Sequence, residues 1–588
     1  MKRLLPYLKG YEKEAVLAPL FKLLEALMEL MVPLLVARII NEGISEKNMS
    51  QVALNFALML LLAILGMSFS FTSQWFSAKA SVGFATALRQ ALFDHIQSLT
   101  YKELDTVGTD TLITRMTSDV NQVQSGVNMG LRLLLRSPFI VFGAMIMAFT
   151  INVKCALIFL VAIPILSIVV YGIMLISIPL FKKAQKNLDE LLGISRENLT
   201  GVRVIRAFGK EEDSIREFDQ KNHQLTKSNE FVGRISALMN PMTYVIINIA
   251  AVLLIRQGAL QVHLGNLLQG DVVALYNYIS QITVELIKLA TLIVTLNKSM
   301  ACADRVANVF DIQTDMTYPK ETSLHQDSKD SDTVLAFEHV SFTYPNSSES
   351  AIEDIDFQVK RGQTVGIIGG TGSGKSTLVN LIPRFYDVTQ GSVKIQGKDV
   401  REYPEGALIQ QIGLVPQKAV LFAGSIRENL LWGNENASDQ ELWKALEIAQ
   451  AREIVEGKED HLDSQVRQNG RNLSGGQRQR LTIARALVGN PQILIMDDSA
   501  SALDFATDAR LRKAISQMEG DITTFIVSQR TVSIMDADLI LVLDNGQLVG
   551  KGNHEELMEN CPIYEEIYYS QFPEKRGQIA NHGKEVLA

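Results

Sequence analysis

The sequence predicts two parts: an all-α membrane part of six spans with long helical extensions, then an α/β domain built around a parallel sheet. Three observations carry this. Long apolar runs recur six times in the first half. From Val334 the pattern changes to short apolar strands separated by Gly, Asp and Asn turns. Within that second pattern, Thr364-Val365-Gly366-Ile367-Ile368 runs into Gly369-Gly370-Thr371-Gly372-Ser373-Gly374-Lys375-Ser376-Thr377 and then Leu378-Val379-Asn380-Leu381-Ile382, which reads as strand, glycine loop, helix. Composition agrees with a split chain. At 47% apolar and 20% charged residues it is too apolar for a soluble enzyme and too polar to lie wholly in a membrane.

Taken in order, the N-terminus Met1-Lys2-Arg3-Leu4-Leu5-Pro6 is short, basic and interrupted by proline. It lacks the features of a secretory signal and reads as an amphipathic segment on the inner membrane surface. The apolar runs cover 15–41, 52–76, 131–150, 155–179, 237–262 and 271–296. Each holds the roughly 20 residues a spanning helix needs. Links 42–51, 151–154 and 263–270 are short, whereas 77–130 and 180–236 are long and rich in charge. Lys and Arg in the long links and at the N-terminus place both in the cytoplasm of a cell-membrane protein, and an even number of spans returns the chain there. The long links are helix-friendly, so spans two to five are expected to continue as cytoplasmic helical extensions whose tips reach a partner domain.

Charges fall inside the spans. Lys22, Glu25 and Glu29 share one helix face, and Glu285 and Lys288 sit in the sixth span. Ionisable groups at that depth face protein or water. Glu25, Glu29 and Glu285 are therefore candidates for lining a polar substrate cavity suited to cations, or for ion pairing, Lys22 with Glu25 and Glu285 with Lys288, that only fixes packing. The expected domains are 1–309 in the membrane, a polar linker 310–333 containing Pro319, an α/β domain 334–572, and a polar tail 573–588.

The glycine loop has the spacing G-x-x-x-x-G-K-S in its proper context, a P-loop. Glycines turn backbone N–H groups toward a phosphate chain, and the helix N-terminus adds positive partial charge. Lys375 reaches the β- and γ-phosphates, and the Ser376 hydroxyl suits Mg²⁺. The net charge of −8 gives no reason to expect a nucleic-acid partner. Cys155, Cys302 and Cys561 are far apart and match no metal-ligand spacing.

Downstream lie Leu473-Ser474-Gly475-Gly476-Gln477, then Ile493-Leu494-Ile495-Met496-Asp497-Asp498, then Ser501-Ala502-Leu503-Asp504. With the P-loop upstream, this order resembles the nucleotide-binding domain of an ATP-binding cassette (ABC) protein, and six spans fused ahead of it resemble a half-exporter of that family. In the membrane part, residues 111–120 and 201–208 are looser matches to the family's first intracellular loop and the stretch before its second coupling region. The resemblance implies ATP and Mg²⁺ as cofactors. It implies that Tyr344 stacks on adenine, that Gln417 contacts Mg²⁺ and the attacking water, and that Asp497 holds Mg²⁺ through water. It implies that the pentapeptide Leu473–Gln477, through Ser474 and Gly476, caps the nucleotide of a second cassette.

Two positions depart from the family pattern. Asp498 stands where a glutamate general base is usual, and Gln529 where a switch histidine is usual. Aspartate draws the carboxylate back by roughly 1 Å, which can cost about 100-fold in rate. Glutamine cannot carry a histidine's charge or proton. Gln468 also replaces a glutamate common upstream of the pentapeptide. The pattern resembles the degenerate-site subunit of a heterodimeric bacterial exporter of amphipathic drugs or lipid-like compounds. Such a subunit binds ATP at a hydrolysis-impaired site and lends its pentapeptide to a partner half-transporter. The alternatives are a homodimeric lipid or drug flippase and an ATP-gated regulator. Spans fused to the cassette disfavour an importer, and the lack of a protease-like domain before the first span disfavours a peptide-processing exporter.

Overall fold

A computed structural model describes residues 2–319, 332–345, 347–499, 501–518 and 520–575. Most of the expected linker and tail lies outside them. The chain divides into two compact units, Met1–Gln97 with Asp110–Ile312, and Ser98–Thr109 with Gln313–Ala588.

The first unit is helical. Met49–Gln97 runs for 49 residues and Val153–Thr200 for 48. At about 1.5 Å per residue each reaches roughly 70 Å, twice what a hydrocarbon core of about 30 Å requires. The expected continuation is thus unbroken helix for the second and fourth spans, whereas the third and fifth join their extensions through turns at Leu134–Leu135 and Leu238. Among the described residues, five stretches are long and apolar enough to cross a membrane: Met49–Gln97, Thr109–Ile151, Val153–Thr200, Glu211–His263 and Gln269–Phe310. The helix Glu12–Arg38 covers the expected first span, but Lys22, Glu25 and Glu29 along its middle set it apart from those five. Apolar side chains point outward from the long helices; Phe71 is 65% exposed and Ile168 72%. That surface suits lipid.

The charges singled out from the sequence, Lys22, Glu25, Glu29, Glu285 and Lys288, are all paired. Lys22 Nζ lies 2.5 Å from Glu25 and donates to Ser70 Oγ at 3.4 Å. Arg136, which begins the helix Arg136–Ile151, holds Glu285 at 2.6 Å with one nitrogen and Glu29 at 2.6 Å with another. Ser137 Oγ donates to Glu285 at 2.8 Å, and Lys288 Nζ does so at 2.9 Å. Both same-helix pairs expected from the sequence are formed. Arg136, which ties three helices together, was not singled out from the sequence. Arg136 and Glu285 are 6% and 3% exposed, so each relies on the other for its charge.

Among its described residues the second unit carries twelve strands: β1 (Thr333–Phe342), β2 (Ile352–Lys360), β3 (Thr364–Gly369), β4 (Gln390–Ile395), β5 (Lys398–Asp399), β6 (Ile412–Val415), β7 (Gly424–Ser425), β8 (Gln465–Val466), β9 (Ile493–Asp497), β10 (Thr523–Val527), β11 (Leu539–Asp544) and β12 (Gln547–Gly552). The main sheet runs β12-β11-β3-β10-β9-β6. It is parallel except for β12, which pairs antiparallel with β11 at the edge. A second, antiparallel sheet runs β2-β1-β4-β5. The expected parallel sheet is therefore the central part of a mixed domain. Every residue of β9 and β10 is buried, as parallel strands covered on both faces require. In β2, buried residues alternate with exposed ones over its second half, so one face meets water. The apolar core falls into two clusters, one packed around Leu494, Met496 and Ile526, the other around Ile367, Ile495 and Val527. All three cysteines are buried free thiols.

Replacing Arg136 with methionine leaves Glu285 deep in the unit without its main counter-charge. The expected cost is about 3–5 kcal/mol, read as a lowered unfolding midpoint in detergent. Replacing Arg136 and Glu285 together by methionine should recover most of that loss.

Candidate nucleotide site

Strands β3, β10, β9 and β6 lie side by side and parallel, so their carboxyl ends emerge at one edge of the sheet. That edge is where open α/β sheets bind ligands. β3 ends in the glycine loop, β9 ends at Asp497, β6 is followed by Gln417, and β10 by Ser528 and Gln529.

The loop's backbone explains its glycines. Gly374 has φ +95° and precedes the helix Lys375–Leu381; a β-carbon there would lie 2.7 Å from the Ala351 carbonyl oxygen. A β-carbon at Gly369 would collide with the carbonyl of Leu543 on the neighbouring strand. Lys375 curls back over the loop, its Nζ 3.0 Å from Gly369 O and 2.5 Å from Gly370 O. Burial pushes its ammonium below the usual lysine range, opposed by Asp497 and Asp498. A cation so placed is ready to exchange carbonyl partners for phosphate oxygens.

Ser376 Oγ donates to Asp497 Oδ1 at 3.2 Å. Asp497 is buried, and burial pushes its carboxyl above the usual range, with Ser376 acting against that. A hydroxyl beside a buried carboxylate is a hard-oxygen set that suits Mg²⁺, so these two residues fit the ion. When bound, the ion supplies charge neutralisation on the phosphates.

Asp498 follows with φ +46°, its N–H donating to Val527 O at 3.0 Å. Gln417 Nε2 donates to Asp498 Oδ2 at 3.4 Å. The structure thus gathers Lys375, Ser376, Asp497, Asp498 and Gln417 in one linked group. Gln529 is exposed at the end of β10. Its backbone carbonyl accepts from Gln571 Nε2 at 2.8 Å, and Gln571 Oε1 accepts from Thr531 N at 3.0 Å. Gln571 ends the helix Pro562–Gln571 and clamps the strand exit from both sides. Arg530 reaches Leu503 O at 3.3 Å and Ser501 O at 3.4 Å, tying that exit to the segment after Asp498. Neither clamp was foreseen; both join residues far apart in sequence and carry no local signature.

Tyr344 is half-buried, its hydroxyl 3.1 Å from Thr377 Oγ1 on the P-loop helix. It therefore stands at the loop's flank with its ring edge-on to Tyr386 and Phe342. In the pentapeptide, Leu473 is buried and Ser474 caps the helix Gly475–Val488. Ser474 Oγ accepts from Gln477 N at 3.3 Å while Gln477 Oε1 accepts from Ser474 N at 3.0 Å. Gly475 is exposed, and a β-carbon there would meet nothing within 4 Å. The helix start thus presents bare backbone N–H groups suited to an anion.

Residues 16–286 match the ABC transporter transmembrane region, and residues 352–501 match the ABC transporter domain. The uncharacterized ABC transporter ATP-binding protein YfiB of Bacillus subtilis is 36% identical over 97% of this chain and 99% of its own length. The putative multidrug export ATP-binding/permease protein YgaD of the same organism is 32% identical over 97% and 99%. The solved structure of a bacterial Atm1-family ABC exporter with ATP bound shares the fold, with a TM-score of 0.78 over 95% of this chain and 99% of that one at 22% identity. The chain belongs to the ABC transporter family, as a half-transporter with an exporter fold, whose ATPase domain couples ATP hydrolysis to movement across a membrane.

Proposed function

We propose that this chain is one subunit of a heterodimeric exporter that binds MgATP at its own P-loop, cleaves it slowly there, and completes its partner's site. The observation that carries this is the pairing of Asp498 and Gln529 with an otherwise complete loop. Asp498 meets Gln417 at 3.4 Å, but its carboxylate stands on one methylene fewer than a glutamate's. Gln529 offers an amide where proton or charge transfer is wanted. Ser474 and its glycines are well ordered for a second nucleotide, with Ser474 and Gln477 closing each other's hydrogen bonds. The N-terminus and the ATPase domain lie in the cytoplasm on this reading.

The cargo on this reading is amphipathic. The first unit holds an apolar groove of about 480 Å³ lined by Leu27, Met31, Phe139 and Phe142. It also holds a polar cleft of about 400 Å³ lined by Glu29, Asn277, Gln281, Glu285 and Lys288. Leu27 and Met31 lie on the face of the helix Glu12–Arg38 opposite Glu29, so the two are separate recesses, one suited to an apolar and one to a polar group. Because Arg136 and Lys288 balance Glu29 and Glu285, the cleft carries no surplus of negative charge to demand a cation. Multidrug export in the name of YgaD agrees with this cargo class.

Purified alone in nanodiscs, the chain should bind MgATP and turn it over slowly. Combining Asp498→Glu with Gln529→His should raise turnover by about 100-fold. Vigorous hydrolysis by the unaltered chain, lost on Asp498→Asn, would overturn the reading. Asp497 supplies a second check. Its folded pKa lies above the unfolded one, so its ionised form costs stability at neutral pH, and that cost vanishes as pH falls below about 4. Asp497→Asn should therefore raise the nucleotide-free melting midpoint at pH 7 and not at pH 4, while abolishing Mg²⁺-dependent nucleotide binding.

A further inference from the structure

The segment Ser98–Thr109 belongs to the second unit, yet the chain on both sides of it belongs to the first. Thr100 and Glu103 close a capping box at the start of its helix, Tyr101–Val107. That helix meets the turn after the P-loop helix. The Tyr101 ring lies 4.4 Å from the Phe385 ring. The Tyr386 hydroxyl donates to Asp105 Oδ2 at 2.5 Å. Lys102 Nζ reaches Asp315 Oδ2 at 2.5 Å, fixing the other flank to the segment after Gln313.

The turn bearing Tyr386 is itself held firmly. Arg384 is buried, has φ +56°, and bonds Asp387 at 2.7 Å through Nε. Its Nη2 donates to Thr317 O at 3.2 Å, and its guanidinium lies 4.8 Å over the Tyr318 ring. With the backbone of the turn pinned, the bond to Asp105 decides where the Tyr386 ring sits. Burial and the Asp105 carboxylate push the Tyr386 hydroxyl well above the usual tyrosine range, so it stays a donor.

That ring is a wall of the base platform. Tyr386 meets Tyr344 edge-on at 5.5 Å and 81°. Both rings touch Phe342, at 5.4 and 4.9 Å. Tyr344 then bonds Thr377 at 3.1 Å. An unbroken line runs Asp105, Tyr386, Tyr344, Thr377, from a segment strung between two helices of the first unit to the helix that begins at the P-loop lysine. An edge-on contact constrains the tilt of a ring, and stacking on a purine depends on that tilt.

We propose that Asp105 and Tyr386 are positioning residues that set the plane of Tyr344, so that the segment between the long helices governs how tightly the adenine base is held. This rests on Tyr344 being the adenine platform. It predicts an effect on the base and none on the phosphates, which a general loosening of the domain would not give.

The test uses the full chain in nanodiscs, titrated calorimetrically with MgATP and with Mg²⁺-tripolyphosphate, which lacks the base. Tyr386→Phe removes only the hydroxyl, and Asp105→Ala only the acceptor. Each should weaken MgATP by about tenfold, the scale of one charge-assisted hydrogen bond, and leave tripolyphosphate unchanged. Asp105→Asn keeps an acceptor and should restore MgATP affinity. Loss of both ligands, or of neither, overturns the relay. Tyr344→Ala separates the two ideas. If it leaves MgATP affinity intact, the platform reading fails; if it lowers that affinity while Tyr386→Phe and Asp105→Ala do not, the relay alone fails.

Discussion

The second unit depends on the shared direction of four neighbouring strands. Because β3, β10, β9 and β6 run parallel, each delivers its last residue to the same edge. The register places Val527 beside both Ile367 and Asp497, so the exit of β10 sits between the P-loop and the buried carboxylate. A slip of one residue would turn alternate side chains to the opposite face and carry Asp497 away from Ser376. The apolar runs of these strands therefore do more than fill a core. They fix the distances on which the polar group at the sheet edge relies.

In the first unit, order comes from a charge cluster centred on the buried pair Arg136 and Glu285. Arg136 sits between Glu29 and Glu285, and Ser137 and Lys288 complete the carboxylate's partners. Apolar packing between helices gives little direction where the surroundings are also apolar. A guanidinium that must meet two carboxylates from two other helices does give direction, because its planar fork accepts few geometries. Glu29, Glu285 and Lys288, which take part in that lock, also line the polar cleft. Any molecule entering that cleft meets groups already committed to one another.

Much of this was legible in the sequence because it is local. The P-loop is one contiguous stretch, the pairs Lys22 with Glu25 and Glu285 with Lys288 are a single helical turn apart, and apolar runs announce spans by length. Arg136 escaped notice because its partners lie 107 and 149 residues away. Gln571 and Tyr386 escaped for the same reason, being read only once their distant targets, the Gln529 carbonyl and the Asp105 carboxylate, are known. The edge strand β12 shows a different limit: a tight Asn545-Gly546 turn reverses the chain, so a domain expected to be parallel ends antiparallel. The helix Glu12–Arg38 lies between these cases, since its charges were visible and its company was not.

Asp498 lies in the left-handed region of backbone space at φ +46°. Aspartate and asparagine tolerate that region better than residues with longer side chains. The shorter acid is thus the one this kink in the main chain accommodates with less strain. Lengthening it would trade ease of folding for reach, so a short-armed carboxylate and a relaxed backbone are two faces of one residue choice.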